Sequence, residues 1–289
     1  MKPSLAYRSI EAVLRLTRYR NIMVRDAGQD RPRHGRVPRQ VRSRWIDKRI
    51  EGQRVWVCAP AAVEARSIYV HFHGGGFVYG LQPFHFSSLA EVADYAGVTV
   101  YLPDYPLPPH RLASDIIDWS DRCYEACRNY GRDRRAALGG DSAGGNLALA
   151  ILQKRAERHL AEPRKVVLWS PWVDLSSPDA ETTTPDTEAL ITPYGLEAAI
   201  RSYVGSLDRS DPLVSPALYN VKRYPPLHII TGGKDILFPS INHFADRLNA
   251  TDRLASLRVE PEYGHYWMFY PTRDRHAVLR HIARCIAPL

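Results

Sequence analysis

Residues 134–149, RRAALGGDSAGGNLAL, carry the reading of the fold. A short apolar run, Ala136 to Leu138, meets Gly139-Gly140-Asp141-Ser142-Ala143-Gly144-Gly145, and an apolar pattern of helical length opens at Asn146 and Leu147. The order is strand, sharp turn, helix. A G-x-S-x-G turn at such a junction holds its serine in a strained conformation with the hydroxyl exposed above the sheet, and its glycines let strand and helix approach closely. Ser142 is the candidate nucleophile, and the Ala143 amide points to where an oxyanion would form. The pentapeptide alone is a weak signal, because Gly and Ser are common turn residues. Its position between a strand and a helix is what gives it weight.

Outward from this turn the chain alternates. Trp45 to Ile50 and Arg54 to Cys58 read as a hairpin around Glu51-Gly52, and Ile68 to Phe72 as a third strand running into His73-Gly74-Gly75-Gly76. A helix near Phe84 to Tyr95, a strand Val98 to Leu102 and a helix near Ser114 to Asn129 lead to the strand before Ser142, the fifth of eight. After the helix Asn146 to Arg158 come strand Lys165 to Trp169, a long insertion, strand Leu227 to Thr231, helix Ser240 to Asn249, strand Ser256 to Glu260 and helix Thr272 to Ile286. Such alternation demands a mostly parallel eight-stranded sheet with helices on both faces.

The insertion, about 175–209, begins with the polar SSPDAETTTPDTEAL and turns helical over Pro193 to Val204. It has no place in the sheet. An amphipathic helix on Leu5, Ile10, Val13 and Leu14, with Ser4 as N-cap, also needs a surface to cover. Together these segments are the material for a helical cap over the serine. Residues 1–44 are accordingly read as a cap helix and basic arm, and residues 45–289 as one catalytic domain. Arg25 to Arg44, polar and containing Pro and Gly, reads as an irregular arm rather than a packed element.

Composition narrows the function. The chain has 289 residues, 45% of them hydrophobic, with no apolar run long enough to span a bilayer and no apolar leader, which predicts a soluble cytoplasmic protein without stable membrane insertion. The net charge of +8 is unevenly spread: residues 1–49 hold 14 Lys+Arg against 4 Asp+Glu, and the remainder holds 25 against 27. A near-neutral body with no nucleic-acid motif argues against nucleic acid as partner. Cys58, Cys123, Cys127 and Cys285 show neither C-x-x-C spacing nor clustered histidines, so free thiols are expected and no metal site.

A serine hydroxyl is a poor nucleophile until a base takes its proton, and the base must be held in one tautomer by an acid. In an open α/β sheet such groups sit on loops at the carboxyl ends of strands. Asp235, in Gly232-Gly233-Lys234-Asp235, follows the seventh strand, and His265, in Tyr263-Gly264-His265-Tyr266-Trp267, follows the eighth. Asp104, Asp174 and Asp246 are rival acids, of which only Asp174 also follows a strand near the serine. His71 lies within a strand, and His159, His243, His276 and His281 lie on helices. The glycines after His73 bring backbone amides close to a reacting carbonyl, so Gly75 and Gly76, with Ala143, are the expected oxyanion hole. His73 reads as a loop-fixing residue. Gly74, Phe77, Tyr79, Trp172 and Trp267, beside these motifs, are candidates for lining a substrate pocket, as is Phe269.

Taken together, HGGGFVYG, GDSAGGNLAL, SPWVDLS, DPLVSPAL, GGKDIL and the final Gly-His resemble the hormone-sensitive-lipase-like carboxylesterases of the α/β-hydrolase fold, from about Trp45 to the C-terminus. The resemblance implies hydrolysis of short- to medium-chain carboxylic esters, no metal or organic cofactor, and a mobile helical cap. The expected partner is a small-molecule ester, and a homodimer is compatible with the chain. Where the family often shows Y-R-L-A-P-E-H-P-F-P, this chain has Tyr105 to Ser114, YPLPPHRLAS, so local loop support departs from the pattern. Deacetylation of one metabolite, or acyl transfer, would use the same residues. A non-catalytic binding protein on this fold, like the gibberellin receptors, would lack the histidine that stands here at 265.

Overall fold

The computed structural model describes residues 2–17, 22–27, 29, 34–65, 67–130, 136–176 and 189–287. Most of the polar start of the insertion, 177–188, and residues 28 and 30–33 of the arm lie outside the described residues.

Eight strands form one sheet: β1 (Trp45–Ile50), β2 (Gln53–Cys58), β3 (Ser67–Phe72), β4 (Val98–Pro103), β5 (Ala137–Asp141), β6 (Val166–Trp169), β7 (Leu227–Gly232) and β8 (Leu254–Glu260), in the order β1-β2-β4-β3-β5-β6-β7-β8. β1 pairs with β2 and β2 with β4 antiparallel; every pairing from β4 through β8 is parallel. Helices α3 (Pro83–Ala96), α4 (Ala113–Tyr130), α5 (Ala143–Glu157), α7 (Phe238–Asn249) and α8 (Arg273–Ile286) cover the sheet, and α6 (Pro193–Tyr203) lies in the insertion.

The strand alternation of period two sorts the core into two layers. Val55, Val57, Val70, Phe72, Leu138 and Leu168 face α4, α5 and α7, whereas Trp56, Cys58, Tyr69, Val167 and Trp169 face α3 and α8. Because both faces are covered, the central strands read as continuous apolar runs rather than alternating ones. All four cysteines are free and buried.

Three local expectations need correction. β5 runs to Asp141 and α5 starts at Ala143, so the glycines at 139 and 140 belong to the strand: they pair with His71 and Phe72 on one side and with Val167 and Leu168 on the other. Ladders on both sides override the turn preference of Gly-Gly. The N-terminal helix α1 (Leu5–Leu16) docks through Tyr7 and Glu11 and leaves Leu5 and Val13 exposed, because the Tyr7 ring packs 4.6 Å from Tyr263 and its hydroxyl accepts from the Gly264 amide at 2.8 Å.

The arm, finally, is partly packed. It contains a short helix α2 (Ile22–Asp26) and a 3₁₀ turn Arg39–Arg44, and Val37 and Val41 pack on the α3/α8 layer. Arg44 makes a forked pair with Asp94, 2.7 Å to each oxygen. A planar guanidinium matches a carboxylate in this way whenever the fold supplies one, whatever the charge of its own segment.

Candidate active site

Ser142 caps the N-terminus of α5 with φ 51° and ψ −118°, a combination that non-glycine residues adopt only under constraint. The constraint is visible on both sides. Its amide donates to the Trp169 carbonyl at 3.0 Å, and its carbonyl accepts from the amides of Trp172 at 3.0 Å and Asn146 at 3.2 Å. Neighbouring β6 and its outgoing loop thus clamp the turn, and the residue is 4% exposed.

The loops after β7 and β8 bring Asp235 and His265 together. The His265 Nδ1 to Asp235 Oδ2 distance is 2.8 Å, and both side chains are fully buried. Asp235 is pinned from behind, its Oδ1 accepting from the Leu237 amide at 2.9 Å. A carboxylate at Nδ1 places the ring proton there, which leaves Nε2 as the basic nitrogen. The rival acids are occupied elsewhere: Asp104 pairs with His34 at 3.2 Å, and Asp174 Oδ1 accepts from the Ser176 amide at 2.8 Å.

The glycine loop after β3 has positive φ at Gly75 (113°), Gly76 (61°) and Phe77 (59°). The Gly75 carbonyl turns back to accept from the amides of Val78 and Tyr79, each at 3.0 Å. Gly76 abuts Met23 of α2, and Met23 also abuts Gly195 of α6. His73 sits beneath this loop, its ring stacked 4.2 Å from that of Tyr105, its Nδ1 2.7 Å from the Gly74 carbonyl, and its own carbonyl accepting from the Tyr105 hydroxyl at 2.8 Å. Burial pushes the His73 pKa down to about 3, so the ring is neutral at working pH and fixes the loop without serving as a base.

The candidate pocket residues separate. Phe77 stacks on Tyr203 of α6, ring centroids 3.5 Å apart, and lies 6.3 Å from Trp172; Tyr79 packs on the same layer, its hydroxyl donating to Asp26 at 3.2 Å. Gly74 presses against Asp141 and the Tyr266 hydroxyl. Trp267 is a correction. It is fully buried in the α3/α8 layer with its ring 4.4 Å from Tyr263, so the turn after His265 sends it into the core rather than beside Phe77. Phe269 goes the same way, 5.5 Å from Trp169.

A second histidine–aspartate cluster lies under the serine, and its members were not singled out from the sequence. Asp141, one residue before Ser142, has Oδ1 2.9 Å from His71 Nε2 and Oδ2 3.5 Å from His85 Nε2. His71 Nδ1 is 2.8 Å from the Tyr69 hydroxyl, and His85 Nδ1 accepts from the Gln82 amide at 3.0 Å. Both rings therefore present Nε2–H to one carboxylate. Burial alone would raise the Asp141 pKa, but His85 and His71 outweigh it and hold the carboxyl well below its usual range, while burial depresses that of His71. The sequence carries the two separately, His71 within a strand and Asp141 beside the serine, with nothing that pairs them.

These shifts share a sign. For His71 and His73 the folded state binds a proton less readily than the unfolded chain, so their contribution to stability is full above pH ~6.5 and is lost as pH falls toward the folded value. Asp141 adds a loss below pH ~3.9 for the same reason. His73 alone is expected to cost about 2 kcal/mol between pH 6.5 and 5, at about 1.4 kcal/mol per pH unit. Urea titrations at a series of pH values check this: the midpoint should fall steadily below pH 6.5, and a flat profile to pH 4.5 would refute neutral burial of these rings.

Among the described residues, no three His, Cys, Asp or Glu side chains converge as a metal-ligand set, and no helix is long and apolar enough to cross a membrane.

A mostly parallel eight-stranded sheet with a serine on a strained strand-to-helix turn after β5 is the arrangement of the α/β-hydrolase fold. Residues 69–269 match the model of the alpha/beta hydrolase fold family, and the chain belongs to that family. It is 28% identical over 195 residues to an esterase from Acinetobacter venetianus, the match covering 66% of this chain and 64% of that protein, just under two thirds of its length. It is 29% identical over 217 residues to an acetyl-hydrolase from Streptomyces hygroscopicus, over 74% and 72% of the two chains. The structure of a hormone-sensitive-lipase homologue, EstE7, from a metagenome library has the same fold, with a TM-score of 0.80 at 24% identity over 99% of this chain and 98% of the other. The kinship expected from the motifs holds.

Proposed function

We propose that the chain is a serine carboxylesterase acting on short- to medium-chain esters through an acyl-enzyme. The observation that carries this reading is the fully buried His265–Asp235 pair on the loops after β8 and β7, in a sheet whose β5 ends at the strained Ser142. In the reaction, His265 Nε2 takes the Ser142 proton as the serine oxygen attacks the ester carbonyl. The Gly75, Gly76 and Ala143 amides receive the oxyanion. His265 then passes its proton to the leaving alcohol, and water attacks the acyl-enzyme by the same route. Asp235 holds the imidazole in its tautomer and stabilises the imidazolium.

Aromatic side chains set the acyl limit. Phe77 follows the oxyanion glycines, stacks on Tyr203 and lies 6.3 Å from Trp172, an aromatic wall that favours a small acyl group over a long lipid chain. The name of the Streptomyces relative, an acetyl-hydrolase, supports the same end of the range. α2 and α6, which meet the glycine loop through Met23, are read as part of a cap formed by residues 1–44 and the insertion. Hydrolysis of 4-nitrophenyl esters from acetate to palmitate is expected to peak between acetate and hexanoate. A peak on long chains would remove the wall argument, and no turnover of any ester by folded protein would remove the esterase reading.

A further inference from the structure

Tyr266 follows His265 directly and is not used by the chemistry above. Its backbone is left-handed, φ 56° and ψ 4°. The ring packs 4.6 Å from His265, 5.6 Å from Phe84 and 5.4 Å from Phe269, so three neighbours fix its direction. At the far end the hydroxyl lies against Gly74: a Cβ built on that glycine would fall 2.3 Å from the Tyr266 oxygen and 2.3 Å from Asp141 Oδ2. The oxygen is shielded from solvent and makes no hydrogen bond of good geometry among the described residues. Yet it interacts with both the Gly75 amide and the Ser142 side chain.

A buried hydroxyl with no satisfied hydrogen bond calls for an explanation, because leaving such a group unpaired is costly. Here it lies against Gly74 of the glycine loop and close to Asp141, the residue before Ser142. Burial, reinforced by the Asp141 charge, raises the phenol pKa well above its usual value, so the group keeps its proton and is a donor at any working pH. A fixed donor without a hydrogen bond of good geometry, in the neighbourhood of Ser142 and the glycine loop, matches what preorganised stabilisation of developing charge requires.

We propose that Tyr266 is a catalytic residue: its O–H donates a hydrogen bond to the oxyanion of the tetrahedral intermediate, alongside the Gly75 amide. The proton stays on the phenol throughout; no bond forms or breaks at Tyr266. This rests on the serine-esterase reading, and it extends that reading by one side chain that backbone amides alone do not supply. The same neutral-phenol device stabilises an oxyanion in other enzymes.

Tyr266→Phe keeps the ring contacts with His265, Phe84 and Phe269 and removes only the hydroxyl. With 4-nitrophenyl butyrate, kcat is expected to fall about 10²-fold with KM changed little, as for loss of one oxyanion donor. Inhibition by butaneboronic acid, whose tetrahedral serine adduct places an oxygen in the same hole, should weaken by a similar factor. An unchanged kcat with a lowered melting temperature would overturn the proposal and give the hydroxyl a structural task at Asp141. A raised kcat would overturn it too, showing a plug that substrate must displace. Labelling of wild type with a fluorophosphonate separates the two levels. If Ser142 labels and esters turn over while Tyr266→Phe equals wild type, only the Tyr266 role falls; if Ser142 neither labels nor turns over ester, the esterase reading falls and takes this one with it.

Discussion

Ser142→Ala is expected to lower kcat for 4-nitrophenyl butyrate by about 10⁴-fold or more while leaving the melting temperature within a few degrees of wild type. The two halves of this expectation have separate causes. The hydroxyl is the only atom removed, and without it no acyl-enzyme forms; what remains is the oxyanion site acting on water. The turn itself does not depend on that oxygen. Ser142 makes no side-chain cap hydrogen bond to α5, and its strained backbone is held by main-chain bonds to Trp169, Trp172 and Asn146. Alanine bears the same Cβ at φ 51°, so the strain is unchanged. His265→Ala should match the loss, and the double variant should be scarcely worse, because serine and histidine act as one unit. Activity above about a tenth of wild type in Ser142→Ala would reject the proposed nucleophile. A large fall in melting temperature would show that the oxygen has a structural task as well.

The parts of the site that the sequence exposes are those decided by local order. Ser142, Asp235 and His265 each stand on the turn or loop that follows a strand, and a parallel sheet collects the carboxyl ends of its strands on one side, so position along the chain nearly suffices. The His71–Asp141–His85 cluster is different. Its members come from β3, β5 and α3 and meet only because His71 lies opposite Gly139 in the ladder, a register that no spacing in the sequence specifies. Tyr266 and Trp267 are adjacent and both pack on the α3/α8 layer, but the ring of Tyr266 lies at its edge against His265, Phe84 and Phe269, whereas Trp267 is fully buried in it. A positive φ at a tyrosine is set by the surrounding packing, since its own preference runs against it. Arg44 stands in the sequence at the end of an irregular basic arm, whereas its partner Asp94 lies 50 positions on, and pairing at such separation follows from the fold alone. The Gly139-Gly140 pair departs from expectation for the opposite reason: two flanking ladders outweigh its local turn preference.

The glycine two residues after the proposed nucleophile should be nearly as intolerant of change as the serine, for a steric reason. A Cβ at Gly144 would lie 1.9 Å from the Phe72 carbonyl oxygen and 2.5 Å from that of His73. Helix propensity by itself favours the substitution, since alanine exceeds glycine by about 1 kcal/mol within a helix. The contact opposes it more strongly, because both obstructing atoms are backbone at the end of β3 and the start of the glycine loop, and neither can rotate aside. Relief requires α5 to move away from β3. That motion carries Ser142 and the Ala143 amide away from Gly75 and Gly76, and a misplacement of about 1 Å can cost 10²-fold in rate. Gly144→Ala is therefore expected to lose about 10²-fold or more in kcat and about 3 kcal/mol or more in urea-measured stability, toward the upper end of overpacking costs. Gly145→Ala is the control on the next helical position. There the nearest atom is the Cβ of Pro171 at 2.7 Å, a side-chain contact on a loop, and the loss should be smaller in both measurements. If Gly144→Ala were as stable and as active as wild type, the close seating of α5 on the oxyanion loop would not be what positions the nucleophile.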